Sequence, residues 1–323
     1  MTSTPPLNDA VRAALEAAVR VPSPHNTQPW RFETGRDGVE VFLDRQRVLD
    51  VVDPDGREAR LACGAAIFNL RLTLAVTGWA SEVSLLPDRC LPDHLATVRL
   101  TWRHQPGARE RELARAIGHR RSNRRPFTER PVPRSARESL IEAARVEGAE
   151  LALLEHPGDL DAVAALVRRA ERVQSEDPDF QAELRAWTVN GGPRDDGVPL
   201  LAGGPRPAPG SLLTPRQYDA HAPERPYEGE VLVGVLGSGT DTPLAHLRSG
   251  LALQRVLLTG TTLGLSASFL AQPVELPDTR AALRGLLGGR THPQTVLRFG
   301  YGFSAPATRR RPVDAVTRPR ESL

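Results

Sequence analysis

One long apolar segment occurs twice in this chain. Gly64-Ala65-Ala66-Ile67-Phe68-Asn69-Leu70-Arg71-Leu72-Thr73-Leu74-Ala75-Val76-Thr77-Gly78-Trp79 returns as Gly250-Leu251-Ala252-Leu253-Gln254-Arg255-Val256-Leu257-Leu258-Thr259-Gly260-Thr261-Thr262-Leu263-Gly264-Leu265. Two glycines frame both copies at equal spacing, and Leu72-Thr73 recurs as Leu258-Thr259. Each copy is apolar nearly all round, as suits a helix buried on most of its surface. A strand-like run follows each, Val83–Leu86 and Ser266–Leu270, and Thr97-Val98-Arg99-Leu100 is answered later by Thr295-Val296-Leu297-Arg298. Chance likeness between two buried helices is the competing account; shared framing and shared order argue for an internal repeat.

The first half is expected over residues 1–115 and the second over 116–323, entered through a helix spanning Glu110 to His119. Further helices are expected at Arg134–Val146, Leu160–Val173 and Asp179–Thr188. Between Asn190 and Glu228 the composition changes to Gly-Gly-Pro steps and scattered prolines, which cannot sustain a helix or a central strand. A long irregular segment in a compact domain is usually a functional lid or a disordered linker. Leu200-Leu201, Leu212-Leu213, Tyr218 and Tyr227 give it apolar anchors, which favours a lid over residues 190–228. Val231 to Thr240 reads as a strand ending in Gly237-Ser238-Gly239. It lacks the third glycine of a dinucleotide fingerprint, and no helix starts until after Pro243, so a strand-to-loop exit is expected.

Two segments carry chemistry. Pro22-Ser23-Pro24-His25-Asn26-Thr27-Gln28-Pro29-Trp30 follows an amphipathic helix with Val11, Leu15 and Val19 on one face, and leads into the alternating run Val39–Leu43. Its prolines stiffen a cluster of short polar side chains, and the amides of Asn26 and Gln28 suit the edge of a planar heterocycle. Alone, a helix-to-strand turn accounts for it equally well. The second segment, Arg120-Arg121-Ser122-Asn123-Arg124-Arg125-Pro126-Phe127, sets cations and a hydroxyl beside a helix end, the chemistry of a phosphate clamp.

The cations are all arginine; the chain has no lysine. That removes Schiff-base chemistry, and with it pyridoxal-phosphate enzymes, and also Walker-type nucleotide hydrolysis. The formal net charge is +3 with acids interspersed and few aromatics, which gives no basic stripe for nucleic acid. No uninterrupted apolar run approaches the roughly 20 residues of a membrane span. Met1 to Asp9 lacks the pattern of a signal peptide. Cys63 and Cys90 form no disulfide framework or metal site, so a reducing cytoplasm is the expected location.

Together the proline loop and the arginine clamp resemble the paired flavin-binding motifs of the nitroreductase superfamily, whose members bind flavin mononucleotide (FMN). The order PSPHNTQPW, RRSNRRPF, QPVELP, RFGYG carries the likeness along most of the chain, and the branch it is similar to is the fused, double-domain, mycobacterial Acg-type one. The resemblance implies an α+β, nitroreductase-like fold in which two tandem halves form an intramolecular pseudo-dimer, each a mixed or antiparallel sheet packed with helices. The folding unit would be a pseudo-dimeric monomer, with further association through other faces left open.

Only the first half keeps the proline loop and only the second keeps the clamp. Pairing them makes one complete site, hence one FMN per chain. By resemblance, Arg120, Arg121 and Ser122 hold the phosphate and ribityl end, and Arg124 reaches the pyrimidine edge of the ring. Ser23, Pro24 and Asn26 contact ring and ribityl from the opposite half. His25 makes either a loop-stabilising hydrogen bond or a proton donor. Pro273, Val274 and Glu275 belong to the segment whose backbone meets the ring near N5. Arg310 and Arg311, within Arg309-Arg310-Arg311, complete the phosphate site or form a solvated tail. The implied activity is reduction of a nitro, quinone or related small-molecule acceptor with electrons from NAD(P)H through the flavin, with no side-chain nucleophile or base required. Two rivals stay open: an FMN-sequestering protein whose closed lid prevents turnover, and a flavin-dependent dehydrogenase of a biosynthetic pathway.

Overall fold

The computed structural model describes residues 7–35, 37–229, 231–303 and 305–320; the first six residues of the segment judged for a signal peptide lie outside these. The first half runs α1 (Leu7–Ala18), β1 (Trp30–Gly35), β2 (Gly38–Leu43), α2 (Arg57–Val76), β3 (Trp79–Leu85), β4 (His94–Arg103) and α3 (Ala108–Ile117). The second runs α4 (Arg134–Val146), β5 (Glu150–Leu154), α5 (Pro157–Glu176), α6 (Pro178–Ala186), β6 (Leu232–Ser238), α7 (Pro243–Thr262), β7 (Ser266–Phe269), α8 (Pro277–Leu286), β8 (His292–Gly300) and β9 (Thr317–Pro319).

The repeat is a repeat of topology. The first sheet has the order β9-β1-β2-β4-β3 and the second β7-β8-β6-β5, so β5-β6-β8-β7 reproduces β1-β2-β4-β3. These neighbours are all antiparallel; β9, which pairs parallel with β1 through Phe32 opposite Thr317, makes the first sheet mixed. Where β1 and β2 meet in a tight hairpin, β5 and β6 are separated by α5, α6 and the Gly/Pro-rich segment.

The framing glycines act in pairs. A Cβ on Gly64 would collide with the Leu247 carbonyl and the Gly250 Cα, and a Cβ on Gly250 with the Leu61 carbonyl and the Gly64 Cα. α2 and α7 therefore cross backbone to backbone at a point that admits no side chain. The partner glycines end the two helices in the left-handed region, Gly78 at φ 92° and Gly264 at φ 73°. Beside the crossing, Gln254 Nε2 donates to Asn69 Oδ1 at 2.9 Å, and Asn69 Nδ2 to the Ala17 carbonyl at 2.7 Å, which satisfies the Asn69 amide and ties α7 through α2 to α1.

Each core borrows from the other helix. Leu247, Leu251 and Leu258 of α7 complete the first core around Trp30, Phe32, Leu70 and Val98, while Leu61 of α2 joins Leu140, Leu236, Leu253 and Leu297 in the second. The halves are thus not separate globules. α2 is also long and apolar enough by composition to cross a bilayer, which corrects the reading that nothing approaches that length; 72% of that window is buried in the protein.

Three boundaries differ from expectation. The helix assigned to the start of the second half is α3, whose Leu113, Ala116 and Ile117 join a core that α2 and α7 both furnish, so residue 115 falls inside a continuous helix. The chain end returns as β9 to the first sheet, so the second half does not own its own tail. The segment 190–228 includes a single helical turn, Leu200–Gly203, and two-residue pairings of 188–189 with 198–199 and 206–207 with 224–225. Of its expected anchors, Leu213 is buried and Tyr227 donates to the Arg124 and Pro205 carbonyls, but Leu201 is 83% exposed.

Candidate functional site

The proline loop is bent hard. His25, Asn26 and Gln28 have φ of 45°, 59° and 56°, three non-glycine residues in the left-handed region within four positions. Such conformations persist only where the surroundings over-determine them. Gln28 supplies much of that: its backbone N–H donates to Ser23 Oγ at 3.0 Å, its Nε2 to the Asp195 carbonyl at 2.8 Å, and its Oε1 accepts from Arg311 N at 2.8 Å. Asn26 Nδ2 donates to the carbonyls of Gly197 at 2.9 Å and Arg309 at 3.2 Å. The Gln28 amide and the Asn26 donor are therefore spent tying the inserted segment and the C-terminal tail to the loop, instead of being offered to a heterocycle. Asn26 Oδ1 alone stays without a partner.

Over this loop lies a cavity of about 440 Å³ lined by seven arginines, 12, 20, 120, 121, 124, 310 and 311, against two carboxylates, Glu16 and Asp314. Both acids pair with Arg12, at 3.4 and 3.7 Å, which leaves the other six cations facing no acid on the cavity wall. Arg120 is the extreme case. It is 5% exposed, and among the described residues its Nη2 reaches only the Arg20 carbonyl at 3.3 Å while Nε and Nη1 have no partner. Burial, reinforced by Arg310, Arg121 and Arg124, pulls its pKa down to about 9. Arg310 bonds the Val21 carbonyl at 3.1 Å and leaves Nε unpartnered; burial together with Arg121, Arg124 and Arg20 lowers it to about 10. Arg311 Nη1 makes no hydrogen bond and lies 3.9 Å from Asp44. A buried cation without a counter-ion is costly, so this cavity is built for an anion.

A second cavity of about 90 Å³ adjoins it through the shared lip of Pro22, Ser23, Ser122 and Arg124. Leu61 and Ala62 of α2, Leu253 of α7 and Phe269 and Ala271 after β7 give it apolar walls from both halves. The inserted segment closes it with Arg216 and Tyr218. Arg216 Nη1 donates to Glu275 Oε1 at 2.9 Å and its Nη2 to Glu275 Oε2 and to Gln174 Oε1, a latch between the segment and the turn Gln272–Glu275. His25 Nε2 accepts from Arg216 Nη1 at 3.1 Å, so the ring is neutral with its proton on Nδ1; burial and then Arg216 hold its pKa well below 6.5. Its Nδ1 has no partner.

The sequence-derived residues divide as follows. Arg120, Arg121, Asn26, Arg310 and Arg311 line the larger cavity, Pro24, His25 and Glu275 the smaller, and Ser23, Ser122 and Arg124 both. Pro273 and Val274 line neither. Val274 packs into the core of α5, α8 and the second sheet, and its carbonyl accepts from Arg57, because Gln272–Glu275 is a helical turn that carries these residues inward. Arg124 stacks its guanidinium 4.9 Å over Tyr218 and donates to the Ala202 carbonyl. Tyr218, expected as an apolar anchor of the lid, lines the smaller cavity, and Arg216 and Glu58 belong to the site yet carried no sequence signal beyond a charge in a proline-rich stretch and a charge at the start of an apolar helix.

The topologically equivalent place in the second half holds no such loop. There α4 meets β5 through Glu147, Gly148 and Ala149. Glu147 accepts from Arg71 Nη2 at 2.6 Å and Arg255 Nε at 2.7 Å, so the two cations there share a carboxylate from within the chain.

No family model matches the chain. A Mycobacterium tuberculosis protein named "Putative NAD(P)H nitroreductase Rv3131" is 34% identical over 327 positions, covering 98% of this chain and 93% of its own. Another from that organism, "Putative NAD(P)H nitroreductase acg", is 31% identical over 336 positions, covering 98% and 97%. Among solved structures, a nitroreductase with bound FMN from Desulfitobacterium hafniense is 11% identical and covers 65% of this chain and 98% of its own, with a TM-score of 0.42, too loose a likeness to carry weight.

Proposed function

Since the chain belongs to the nitroreductase family by a relationship that runs along its whole length, we propose that it binds one FMN across the two cavities and passes electrons from NAD(P)H to a small organic acceptor. The observation that carries this reading is Arg120, a buried guanidinium with two unpartnered nitrogens in an arginine-lined cavity that opens into an apolar slot between the halves. The residues fit the cofactor's two ends. Arg120, Arg121, Arg310 and Arg311 with Ser122 would hold a phosphate, as charge-assisted donors do best. Ser23 and Pro24 would border the ribityl chain and ring, and Arg124 at the lip would face the pyrimidine edge. Ala271 and Glu275, rather than Pro273 and Val274, would be the part of their segment that meets the ring.

When bound, FMN supplies hydride chemistry: it takes two electrons from a nicotinamide and hands them to the acceptor. The protein's part is to hold it, to place a cation beside the ring, and to keep water out with Tyr218 and the apolar walls. Releasing flavin from the denatured protein and quantifying it tests the stoichiometry; FAD, or two FMN per chain, would sink it. Stopped-flow mixing of the loaded protein with NADH or NADPH tests the electron donor through bleaching of the flavin.

A second reading has a specific observation behind it. Arg216 and Tyr218 close the smaller cavity and are latched by Glu275. That closure favours a protein that sequesters FMN with little turnover. Arg216→Ala would separate the two: bleaching that becomes fast only in the variant supports sequestration, and equal fast bleaching in both supports the reductase.

A further inference from the structure

We infer, building on the FMN reading above, that Glu58 is the proton donor to the acceptor reduced in the smaller cavity. Four observations carry it. Glu58 is the second residue of α2, yet the start of that helix is capped by Asp53, which accepts from the Glu58 and Ala59 N–H groups at 2.9 and 2.8 Å. The Glu58 carboxyl lines the cavity instead. Oε1 accepts from Arg57 Nη2 at 2.7 Å, and among the described residues Oε2 accepts no hydrogen bond. Arg57 is itself fixed to the carbonyls of Gln294 and Val274, so the carboxyl is held in place.

Of the other titratable groups facing the cavity, Glu275, Arg124 and Arg216 are committed, while His25, whose Nδ1 has no partner among the described residues, and the Tyr218 hydroxyl are the rival donors that the Glu58 variants test against. Both oxygens of Glu275 are bonded to Arg216, with Gln174 Nε2 adding to one at 2.6 Å. His25 is neutral and accepts from the same arginine. Arg124 and Arg216 are permanent cations. Tyr218 spends its face on Arg124 and His25.

On the far side of this wall a cleft of about 510 Å³ is lined by Arg57, Glu275, Asp53, Asp55 and His292, so Glu275 faces both spaces and Arg57 backs Glu58 from the outer one. Finally, burial raises the Glu58 pKa to about 8; Arg57 and Arg216 oppose, while Glu275 and Asp53 push with it. Burial thus favours the protonated form, the one that general acid work needs.

The balance closes for a quinone. A hydride brings two electrons and one proton to the acceptor from NAD(P)H by way of the flavin. The O–H bond of Glu58 breaks, its proton bonds to the acceptor oxygen, and the carboxylate is reprotonated from solvent. The product is the hydroquinone.

The test uses the full FMN-loaded chain as wild type, Glu58→Gln and Glu58→Asp. After reduction, the flavin is reoxidised by benzoquinone, which takes up protons, or by ferricyanide, which takes none. The ratio of the two rates should fall by about 10²-fold or more in Glu58→Gln. In wild type the quinone rate should fall as pH rises through about 8, with Glu58→Asp showing the same loss at a shifted pH. Infrared difference spectra should show a protonated carboxyl at pH 7 that disappears above pH 9 and in Glu58→Gln. An unchanged ratio and pH profile, or no such carboxyl band, overturns the inference while normal FMN binding and bleaching leave the function standing. Failure to bind FMN overturns both. Should Glu58→Gln not fold, the wild-type pH profile and carboxyl band decide alone.

Discussion

Arg120→Met should move apo-stability and cofactor affinity in opposite directions. The guanidinium is buried, two of its nitrogens are unpartnered, and Arg121, Arg124 and Arg310 surround it. A fall in pKa from the ordinary arginine range to about 9, at about 1.4 kcal/mol per unit, puts the cost of keeping that charge in the apo-protein at up to about 5 kcal/mol. Methionine keeps most of the packing volume and removes the charge. Allowing for relaxation and water, apo-stability should rise by about 1–3 kcal/mol, or several degrees in Tm at about 2–4 °C per kcal/mol. The same change deletes a charge-assisted contact to phosphate. At roughly 1.5–3 kcal/mol, that is a loss of about 10- to 100-fold in FMN affinity. Thermal melts of apo and FMN-saturated protein read both quantities, since a ligand that binds only the folded state raises Tm with its affinity. Arg115, exposed on α3, is the control, and Arg115→Met should be neutral in both. If apo Arg120→Met melts lower than wild type and binds FMN equally well, Arg120 is a structural residue and the anion-site argument fails.

Gly64→Ala should cost about 2–4 kcal/mol, read by urea denaturation, because its methyl would meet the Leu247 carbonyl and force α2 from α7; little change would mean that the crossing can slide. His246 is neutral in the fold, with Nδ1 accepting from Arg60 and burial lowering its pKa to about 4. The unfolded chain binds more protons between about pH 6.5 and 4, so stability should fall by about 2–3 kcal/mol as pH drops through that window, and His246→Gln should flatten the loss. Arg124→Ala should lower the potential of bound flavin more than its affinity; a redox titration that finds the potential unmoved removes Arg124 from the ring. Gln28→Ala should expose the segment around Asp195 to limited proteolysis and weaken FMN binding, since one amide ties both that segment and Arg311 to the loop.

The pattern of repeat, loop and clamp was legible because each is local: glycine spacing, helical periodicity and a run of like charges are written in adjacent residues. The helix Arg134–Val146 and the strand-to-loop exit after β6 appear where periodicity and turn residues put them. What stayed hidden depends on distant partners. Nothing near Thr317 says that it will lie beside Phe32, and Pro273 and Val274 read as site residues until one helical turn rotates them into a core. Arg216 sits in a stretch whose prolines speak only of irregular backbone, yet its partners Glu275 and Gln174 are 59 and 42 positions away. Glu58 looked like any acid in a first helical turn. Its meaning comes from Asp53 having taken the capping role and from a cavity that exists only once α7 has docked.

The α2–α7 crossing has a consequence for how such a chain can vary. In a symmetric dimer every substitution is made twice, so a change that suits one site is imposed on the other. Here the two sides of the axis are encoded separately. A carboxylate can enter at Glu147 to quench Arg71 and Arg255 without placing an acid beside Arg120, where it would compete with an anion. Gly64 and Gly250, by contrast, face each other on the axis, and a side chain at either one strikes the opposite helix. Tolerance to mutation should therefore be lopsided at the two clefts and equally strict at the crossing. A library of single substitutions, scored for folded protein, would show it as two unlike rims around one shared, intolerant hinge of glycines.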